Sequence, residues 1–239
     1  MYKNYIFDLY GTLVDIRTDE NKDLVWEKMT LYYSFFGANY EPEELKQKFR
    51  KYVEKIVEAT GNSEEIEIDI EDVFFQLFRN KKVKPKKRVS KEAARIFRIM
   101  SLDKLELYPY AETLLKELKE KGKNIYLMSN AQACFTRFEL KSLGIDKYFD
   151  EIYISSEHEM KKPNKEFFDF ILNDKGMKAE KTVMIGNDCS TDIEGARRAG
   201  IDSVYIHSNI VNPTAAYVKP TYEIEDGDLR KILSCTVKE

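Results

Sequence analysis

The sequence predicts an α/β protein in which a parallel β-sheet is covered by helices on both faces and is accompanied by a block of helices. Short β-rich runs alternate with helical segments in the carboxyl-terminal part of the chain, which is typical of a parallel sheet. Residues 16–86 instead repeat apolar side chains at helical spacing. The chain has 239 residues, 43% of them hydrophobic, so it is long and apolar enough to form a core.

The first predicted strand is NYIFDL, residues 4–9. It is short, apolar and aromatic, and it stops before Gly11, as expected of a buried strand that ends in a turn. Asp8 therefore lies at the carboxyl end of this strand.

Three helices are predicted next. The first begins near Asp19 and ends at Gly37, and the second opens at Pro42, a residue that suits a first helical turn. The third ends near Arg79, where the basic linker NKKVKPKKR follows. The aromatic side chains of this helical block are predicted to be mainly core, with one or two of them facing a functional site; they are Tyr32, Tyr33, Phe35, Phe36, Tyr40, Phe74, Phe75 and Phe78.

Four further strands are predicted after the linker, in KNIYLMSN, DEIYISS, KTVMIGND and IDSVYIH, and TYEI near Thr221 adds another. Helical segments such as YAETLLKELKEKG separate them. Because ligands bind beyond the carboxyl ends of the strands in such sheets, the residues that follow each strand are the candidates for a site.

Composition and charge exclude several classes of protein. The net charge is −3, and basic and acidic residues are nearly balanced, so no global field favours nucleic acid or a membrane surface. No apolar run is long enough to span a membrane, and the start of the chain does not resemble a secretion signal. Cys134, Cys189 and Cys235 show no paired spacing and are expected to be free thiols. We expect a cytoplasmic protein.

Polar side chains that can perform chemistry follow the predicted strands. A carboxylate can attack phosphorus or an activated carbon, and a hydroxyl and an ammonium group can hold the charge of the transferred group. Further acids beside the nucleophile require a cation, and oxygen ligands favour Mg²⁺. The candidates are Asp8, Tyr10, Thr12, Ser129, Asn130, Lys162, Asn187, Asp188 and Asp192.

Four motifs in this order resemble those of the haloacid dehalogenase superfamily of hydrolases. FDLYGTL matches the first motif except at Tyr10, and Ser129 in YLMSN matches the second. Lys162, directly before a proline, matches the third. IGNDCSTDIEGARRAG matches the acidic fourth motif, where Asp192 pairs with either Asp188 or Asn187; Asp188 is the favoured metal carboxylate.

The resemblance implies a Rossmann-like α/β core at residues 1–15 and 87–239, with an inserted helical cap at residues 16–86. It implies Mg²⁺ as the cofactor and three sets of site residues. The catalytic set is Asp8, Tyr10, Ser129 and Lys162; the substrate-binding set is Gly11, Thr12, Ser129, Asn130 and Lys162; the metal set is Asp8, Tyr10, Asn187, Asp188 and Asp192.

Tyr10 stands where the phosphatases of this superfamily carry a second aspartate that moves a proton. At pH 7 only about one tyrosine in a thousand is a phenolate, so Tyr10 is a poor base. The 2-haloacid dehalogenases of the superfamily also carry tyrosine here. Their cap arginine, however, follows a tryptophan, whereas Glu27 follows Trp26 in this chain, and they work without the metal that Asp188 and Asp192 favour.

The sequence therefore favours a Mg²⁺-dependent phosphohydrolase that acts on a small phosphorylated metabolite through an aspartyl-phosphate on Asp8, as a monomer or homodimer. Two alternatives stay open. One is a 2-haloacid dehalogenase. The other is a binding module in which Asp8 accepts phosphate and Tyr10 delays its loss.

Overall fold

The computed structural model describes residues 1–61, 63 and 65–237. In chain order the strands are β1 (Asn4–Phe7), β2 (Val14–Thr18), β3 (Leu102–Leu107), β4 (Asn124–Ser129), β5 (Glu151–Ile154), β6 (Thr182–Gly186), β7 (Asp202–Ile206) and β8 (Tyr222–Ile224). Within the described residues six strands form one parallel sheet in the order β5-β4-β1-β6-β7-β8. The predicted parallel sheet is confirmed, including its last strand.

The first strand lies in the middle of this sheet. All four residues of β1 are buried, and β1 pairs with β4 on one side and with β6 on the other. Chain segments that follow β1, β4 and β6 therefore leave the sheet at the same edge. Asp8, Ser129 and the polar residues after Gly186 all lie there because of this strand order.

The helices cover the sheet or form the cap. They are α1 (Asp23–Ser34), α2 (Pro42–Ala59), α3 (Ile70–Asn80), α4 (Lys87–Ser101), α5 (Ala111–Glu120), α6 (Ala133–Ser142), α7 (Lys165–Asp174), α8 (Glu194–Ala199) and α9 (Arg230–Thr236). The first three match the predicted cap helices, and α2 begins at Pro42 with two acids in its first turn, where the positive end of the helix dipole favours them. No described helix has the length and apolarity needed to cross a membrane.

The three cap helices and α4 pack together in what we call the helical unit, which contains one helix more than the sequence predicts. Ala93, Ala94 and Phe97 of α4 are buried in the same cluster as Trp26 and Phe49. The rings of Trp26 and Phe97 lie 5.4 Å apart, and those of Phe49 and Phe97 lie 5.1 Å apart. We therefore place the end of the helical unit at Ser101 instead of residue 86.

Two strands outside the main sheet join the helical unit to the core. β2 and β3 pair antiparallel, with Val14 opposite Leu107 and Thr18 opposite Leu102. The chain enters the helical unit along β2 and returns along β3. Residues 16–18 thus belong to a strand, although the sequence predicts helical structure over residues 16–86.

Four of the eight cap aromatics are buried core residues, whereas Phe35 and Phe36 are exposed. Tyr33, Tyr40, Phe74 and Phe78 are buried together, and the Tyr33 hydroxyl donates to the carbonyl of Phe74 at 3.0 Å. A hydroxyl that is buried on the inner face of a helix bundle needs such a partner. These four side chains stabilise the cap and do not line the cavity beside Asp8.

Candidate active site

A tight turn holds Asp8 at the end of β1. The amides of Leu13 and Val14 both donate to the carbonyl of Leu9, at 2.8 and 2.9 Å, so the chain folds back directly after the strand. Gly11 has a φ of +89°, and a Cβ atom there would lie 2.2 Å from Nδ2 of Asn187. Glycine is therefore required by both the backbone conformation and the space.

Asp8, Lys162 and Asp192 form a buried cluster, which we call the catalytic cluster. The Lys162 ammonium lies 2.6 Å from Oδ1 of Asp8 and 2.7 Å from Oδ1 of Asp192. It also donates to the carbonyl of Met128 at 2.8 Å. The ammonium group therefore has two hydrogen-bond acceptors and a second carboxylate at ion-pair distance, so a lysine that is only 2% exposed stays charged in the interior.

The pKa values of the cluster express the same balance. Burial lowers the pKa of Lys162, but the charges of Asp192 and Asp8 outweigh burial and hold this pKa above its ordinary value. Burial raises the pKa of Asp192 to about 7; Lys162 opposes this rise and the charge of Asp8 adds to it. The lysine therefore stabilises two carboxylates that would otherwise repel each other.

Ser129, at the end of β4, carries a buried hydroxyl without a partner. The residue is 1% exposed, and its Oγ has no hydrogen-bond partner among the described residues. An unsatisfied buried hydroxyl costs about 1–3 kcal/mol of stability. Ser129 lines the same cavity as Asp8 and Lys162, so a bound oxyanion can supply the missing bond.

Thr12, Asn187 and Asn130 hold the loops around the cluster. The Thr12 hydroxyl lies 3.1 Å both from Oδ2 of Asp8 and from Oδ1 of Asn187, and its single proton serves one of them at a time. Asn130 accepts from the amide of Lys162 at 2.8 Å and donates to its carbonyl at 3.0 Å. These bonds fix the lysine main chain relative to β4.

Asp188 and Asp192 occupy different positions in the loop after β6. Asp188 caps the short π-helical segment Cys189–Ile193, accepting from the amides of Ser190 and Thr191 at 2.7 and 3.3 Å. Asp192 points inward, and its Oδ2 accepts from the amide of Asp188 at 3.0 Å. Asp188 therefore caps this segment, whereas Asp192 lies in the buried cluster with Lys162.

Tyr10 lines the cavity beside Asp8, but its hydroxyl bonds to side chains of α6 and not to the catalytic cluster. Its hydroxyl donates to Glu139 and lies 3.0 Å from the hydroxyl of Thr136. Arg98 binds the same Glu139 carboxylate at 2.6 and 3.3 Å. We call Tyr10, Glu139 and Arg98 the tyrosine network. Burial, followed by the charge of Glu139, raises the pKa of Tyr10 above its ordinary value, so the phenol is neutral at pH 7.

The structure thus brings Asp8, Thr12, Ser129, Lys162 and Asp192 together, but engages the Tyr10 hydroxyl elsewhere. Sequence reasoning missed its partners, which no local signal reveals. Thr136 and Glu139 are separated from Tyr10 by 126 and 129 positions.

The cavity beside Asp8 has a volume of about 260 Å³ and carries an excess of negative charge. Asp8, Asp188 and Asp192 line it against the single cation Lys162, which leaves a formal charge of −2, from three carboxylates and one ammonium. Among the described residues no three acidic, histidine or cysteine side chains are gathered for a metal ion. The oxygen-only donors and the excess charge nevertheless fit Mg²⁺, since a phosphoryl group would otherwise be repelled.

Comparison with known proteins gives a family match over residues 2–200, to the haloacid dehalogenase-like hydrolases. A glyceraldehyde 3-phosphate phosphatase of Methanothermobacter thermautotrophicus is 33% identical over 115 residues, which is 48% of this chain and 51% of that protein. The enzyme of the same name from Methanopyrus kandleri is 26% identical over 86% of this chain and 84% of its own length. A phosphoserine phosphatase of Thermus thermophilus is 30% identical over 53% of this chain and 49% of its own. This chain spans about half the length of the Methanothermobacter and Thermus relatives.

Solved structures share the fold over almost the whole chain. A 2-haloacid dehalogenase from Pseudomonas syringae pv. Tomato DC3000 superposes with a TM-score of 0.70 at 19% identity, covering 98% of this chain and 99% of that one. A phosphatase of the same superfamily from Thermococcus onnurineus gives 0.61 at 20% identity, covering 99% of each chain. At these identities the likeness concerns the fold alone.

Proposed function

The chain belongs to the haloacid dehalogenase-like hydrolases, and on that premise we propose that it is a Mg²⁺-dependent phosphohydrolase that acts on a small phosphorylated metabolite. The observation that carries this proposal is the pairing of two features on one cavity: the buried Asp8 carboxylate held by Lys162, and the unpartnered hydroxyl of Ser129. The first is placed to attack phosphorus, and the second to bind a phosphoryl oxygen.

The reaction requires two displacements. In the first, an oxygen of Asp8 forms a bond to phosphorus, the bond from phosphorus to the ester oxygen breaks, and the released alkoxide takes a proton. In the second, water attacks the aspartyl-phosphate, inorganic phosphate leaves, and the Asp8 carboxylate is restored. Ser129 binds the transferred group throughout, and the charge of Lys162, whose ammonium group is bonded to Asp8 and to the Met128 carbonyl, offsets the charge of that group.

Asp8, Asn187 and Asp188 are the side chains that would hold Mg²⁺. Asp192 would support them through its ion pair with Lys162. When bound, the ion supplies positive charge that offsets the phosphoryl group in a cavity whose own side chains are net negative. The hydroxyl of Tyr10 is engaged with Glu139 and is not available to this set.

The proton for the leaving group does not come from Tyr10 in this arrangement, because its hydroxyl already donates to Glu139. A water molecule or the substrate itself must supply it. We therefore expect good leaving groups, which need little protonation, to react much faster than alkyl esters.

The cap does not favour the dehalogenase alternative. Trp26 is buried in the cap core, and Glu27, which stands where those enzymes carry an arginine, is exposed and does not line the cavity beside Asp8. No positive charge is thereby supplied for a halide or a carboxylate at this position. The relatives identified by sequence are also named as phosphatases.

A paired assay tests the proposal. The assay measures phosphate release from p-nitrophenyl phosphate and halide release from 2-chloropropionate. Each is measured with about 5 mM Mg²⁺, a level that saturates weak oxygen-ligand sites, and again with excess chelator. We expect phosphate release that depends on Mg²⁺ and no halide release. Halide release that persists in chelator would establish the dehalogenase instead.

Intact-protein mass spectrometry, added to the phosphate assay, separates turnover from simple phosphate acceptance. The engaged hydroxyl of Tyr10 leaves no side-chain base bonded to Asp8, which favours slow loss of phosphate from the aspartyl group. If intact-protein mass spectrometry shows a persistent phosphate adduct while free phosphate stays at background, the binding-module alternative replaces the phosphatase. Action in the cytoplasm, as a monomer or homodimer, remains part of the proposal.

A further inference from the structure

A second cavity, of about 650 Å³, adjoins the one beside Asp8. The two share Asn130, Lys162, Thr191 and Asn212 in their walls, so they form one continuous space. The second cavity is the larger; Asp8 does not line it, and Glu65 of the helical insertion does. It is therefore where the part of a substrate beyond the phosphoryl group would lie.

The two cavities differ in the sign of their charge. Beyond the shared Lys162, the second cavity is lined by Lys161, Arg198 and Glu65, two cations and one acid, which gives a formal charge of +1. Arg198 lies at the end of α8, and Lys161 directly precedes the catalytic lysine. Among the described residues, no acidic side chain is within ion-pair distance of Lys161.

The second cavity already binds a carboxylate from the protein itself. Glu65, from the segment between α2 and α3, reaches across from the cap, and its Oε1 lies 2.6 Å from Nη1 of Arg198. Its main-chain carbonyl accepts from the amide of Lys161 at 3.0 Å. The Nε of Arg198 is bonded to Glu194 of the same helix at 2.7 Å, so Nη1 is the part of the guanidinium positioned to hold an anionic group at this cavity.

We propose that this second cavity is a subsite that selects substrates with a second anionic group, a carboxylate or a second phosphoryl group, bound by Lys161 and Arg198. The inference rests on the proposed phosphohydrolase function. The incoming anion replaces the Glu65 carboxylate on Arg198, and Lys161 adds a second positive charge. Neutral leaving groups gain nothing from these cations.

Binding to an Asp8→Asn variant tests the subsite without turnover. Calorimetry compares two pairs of ligands in the presence of Mg²⁺: 3-phosphoglycerate with glycerol 3-phosphate, and fructose 1,6-bisphosphate with fructose 6-phosphate. Within a pair the members differ mainly in the second anionic group. We expect the doubly anionic member of at least one pair to bind about tenfold more tightly or better, as charged hydrogen bonds allow. The pair that discriminates identifies the anion.

Three further substitutions on that background sharpen the test. Arg198→Gln should reduce the tenfold preference to about twofold or less, and Glu65→Gln should increase it, because the internal competitor loses its charge. Arg197→Gln is the matched control: Arg197 also pairs with Glu194 but does not line the cavity, so the preference should be unchanged.

Equal affinity within both pairs overturns the subsite. So does a preference that survives Arg198→Gln combined with Lys161→Gln. Failure of the proposed function is a different result: the protein with Asp8 intact would release no phosphate from any ester, while the binding ratios in the Asp8→Asn variant still report on the second cavity.

Discussion

Two buried charge networks lie two residues apart along the loop after β1, and they differ in how completely their polar groups are satisfied. The catalytic cluster joins Asp8 and Asp192 through Lys162. The tyrosine network joins Tyr10 and Arg98 through Glu139. Each combines carboxylate with cation out of contact with most of the solvent, yet only the first has an unpartnered hydroxyl, Ser129, and an excess of carboxylates around it.

The difference shows how a site for chemistry is distinguished from a site for structure. In the tyrosine network one acid meets one cation and one phenol, so its charges and donors balance and nothing is left for a ligand. In the catalytic cluster the surrounding cavity keeps net negative charge and an unused donor, and both are satisfied only when something binds. We therefore assign chemistry to the first network and positioning of the loop to the second.

The largest effect is expected for Asp8→Asn. An amide cannot attack phosphorus, so phosphate release from p-nitrophenyl phosphate should fall by about a thousandfold or more. Asp103→Asn is the matched control, since Asp103 also pairs with a lysine, Lys22, but at the surface. It should keep activity within about twofold, because surface pairs contribute little. Wild-type activity in Asp8→Asn, with an unchanged circular dichroism spectrum, would remove Asp8 from its role.

Lys162→Met should destabilise the protein as well as inactivate it. Without the ammonium group, Asp8 and Asp192 are buried side by side without a counter-charge, and we expect the free energy of unfolding to fall by about 3–5 kcal/mol. Urea denaturation measures this. Lys165→Met, which breaks an exposed pair with Asp169, should cost about 1 kcal/mol or less. An equal loss in both variants would contradict the balance described for the catalytic cluster.

Glu139→Gln tests the tyrosine network by itself. Arg98 loses its counter-charge and Tyr10 its charged acceptor, so the free energy of unfolding should fall by about 2–3 kcal/mol. Because Glu139 lines neither of the cavities near Asp8, the rate on p-nitrophenyl phosphate should stay within about fivefold of wild type. A rate loss as large as that of Asp8→Asn would merge the two networks into one catalytic unit.

The smallest effect is expected for Tyr10→Phe. It removes one hydroxyl that donates to Glu139 and should cost about 1 kcal/mol, similar to Tyr33→Phe, whose hydroxyl is bonded inside the cap. Rates on good and poor leaving groups should both stay within about threefold. If Tyr10→Phe instead slows alkyl phosphates by a hundredfold while p-nitrophenyl phosphate is unaffected, the phenol is the missing proton donor.

The sequence contains most of the information for the main sheet and for the assembly around Asp8. Buried strands such as β1 are apolar runs with clear ends, and parallel order brings the residues after β1, β4 and β6 to one edge. Ser129, Lys162 and Asp192 meet Asp8 there as the motifs indicate. These features depend on local pattern and on one rule of sheet geometry.

The features that were missed depend on contacts distant in sequence. β2 and β3 pair across more than eighty positions, so neither strand shows its partner in its own composition. The helix α4 was not predicted, and its own sequence does not show that it packs with Trp26 rather than on the sheet. Likewise, the sequence could show that Tyr10 replaces a residue that moves a proton. It could not show that the Tyr10 hydroxyl bonds to Glu139, because Glu139 is distant along the chain.

Because β2 pairs antiparallel with β3, the helical insertion begins and ends at neighbouring points of the chain. Thr18 and Leu102, where the chain leaves for the helices and comes back, are already neighbours across a strand pair, as the two arms of a hairpin are. Paired residues on adjacent strands lie about 5 Å apart, a gap that a two-residue turn can close. The helical insertion therefore leaves and rejoins the core at one point, so its replacement by a short turn is expected to keep the path of the core strands.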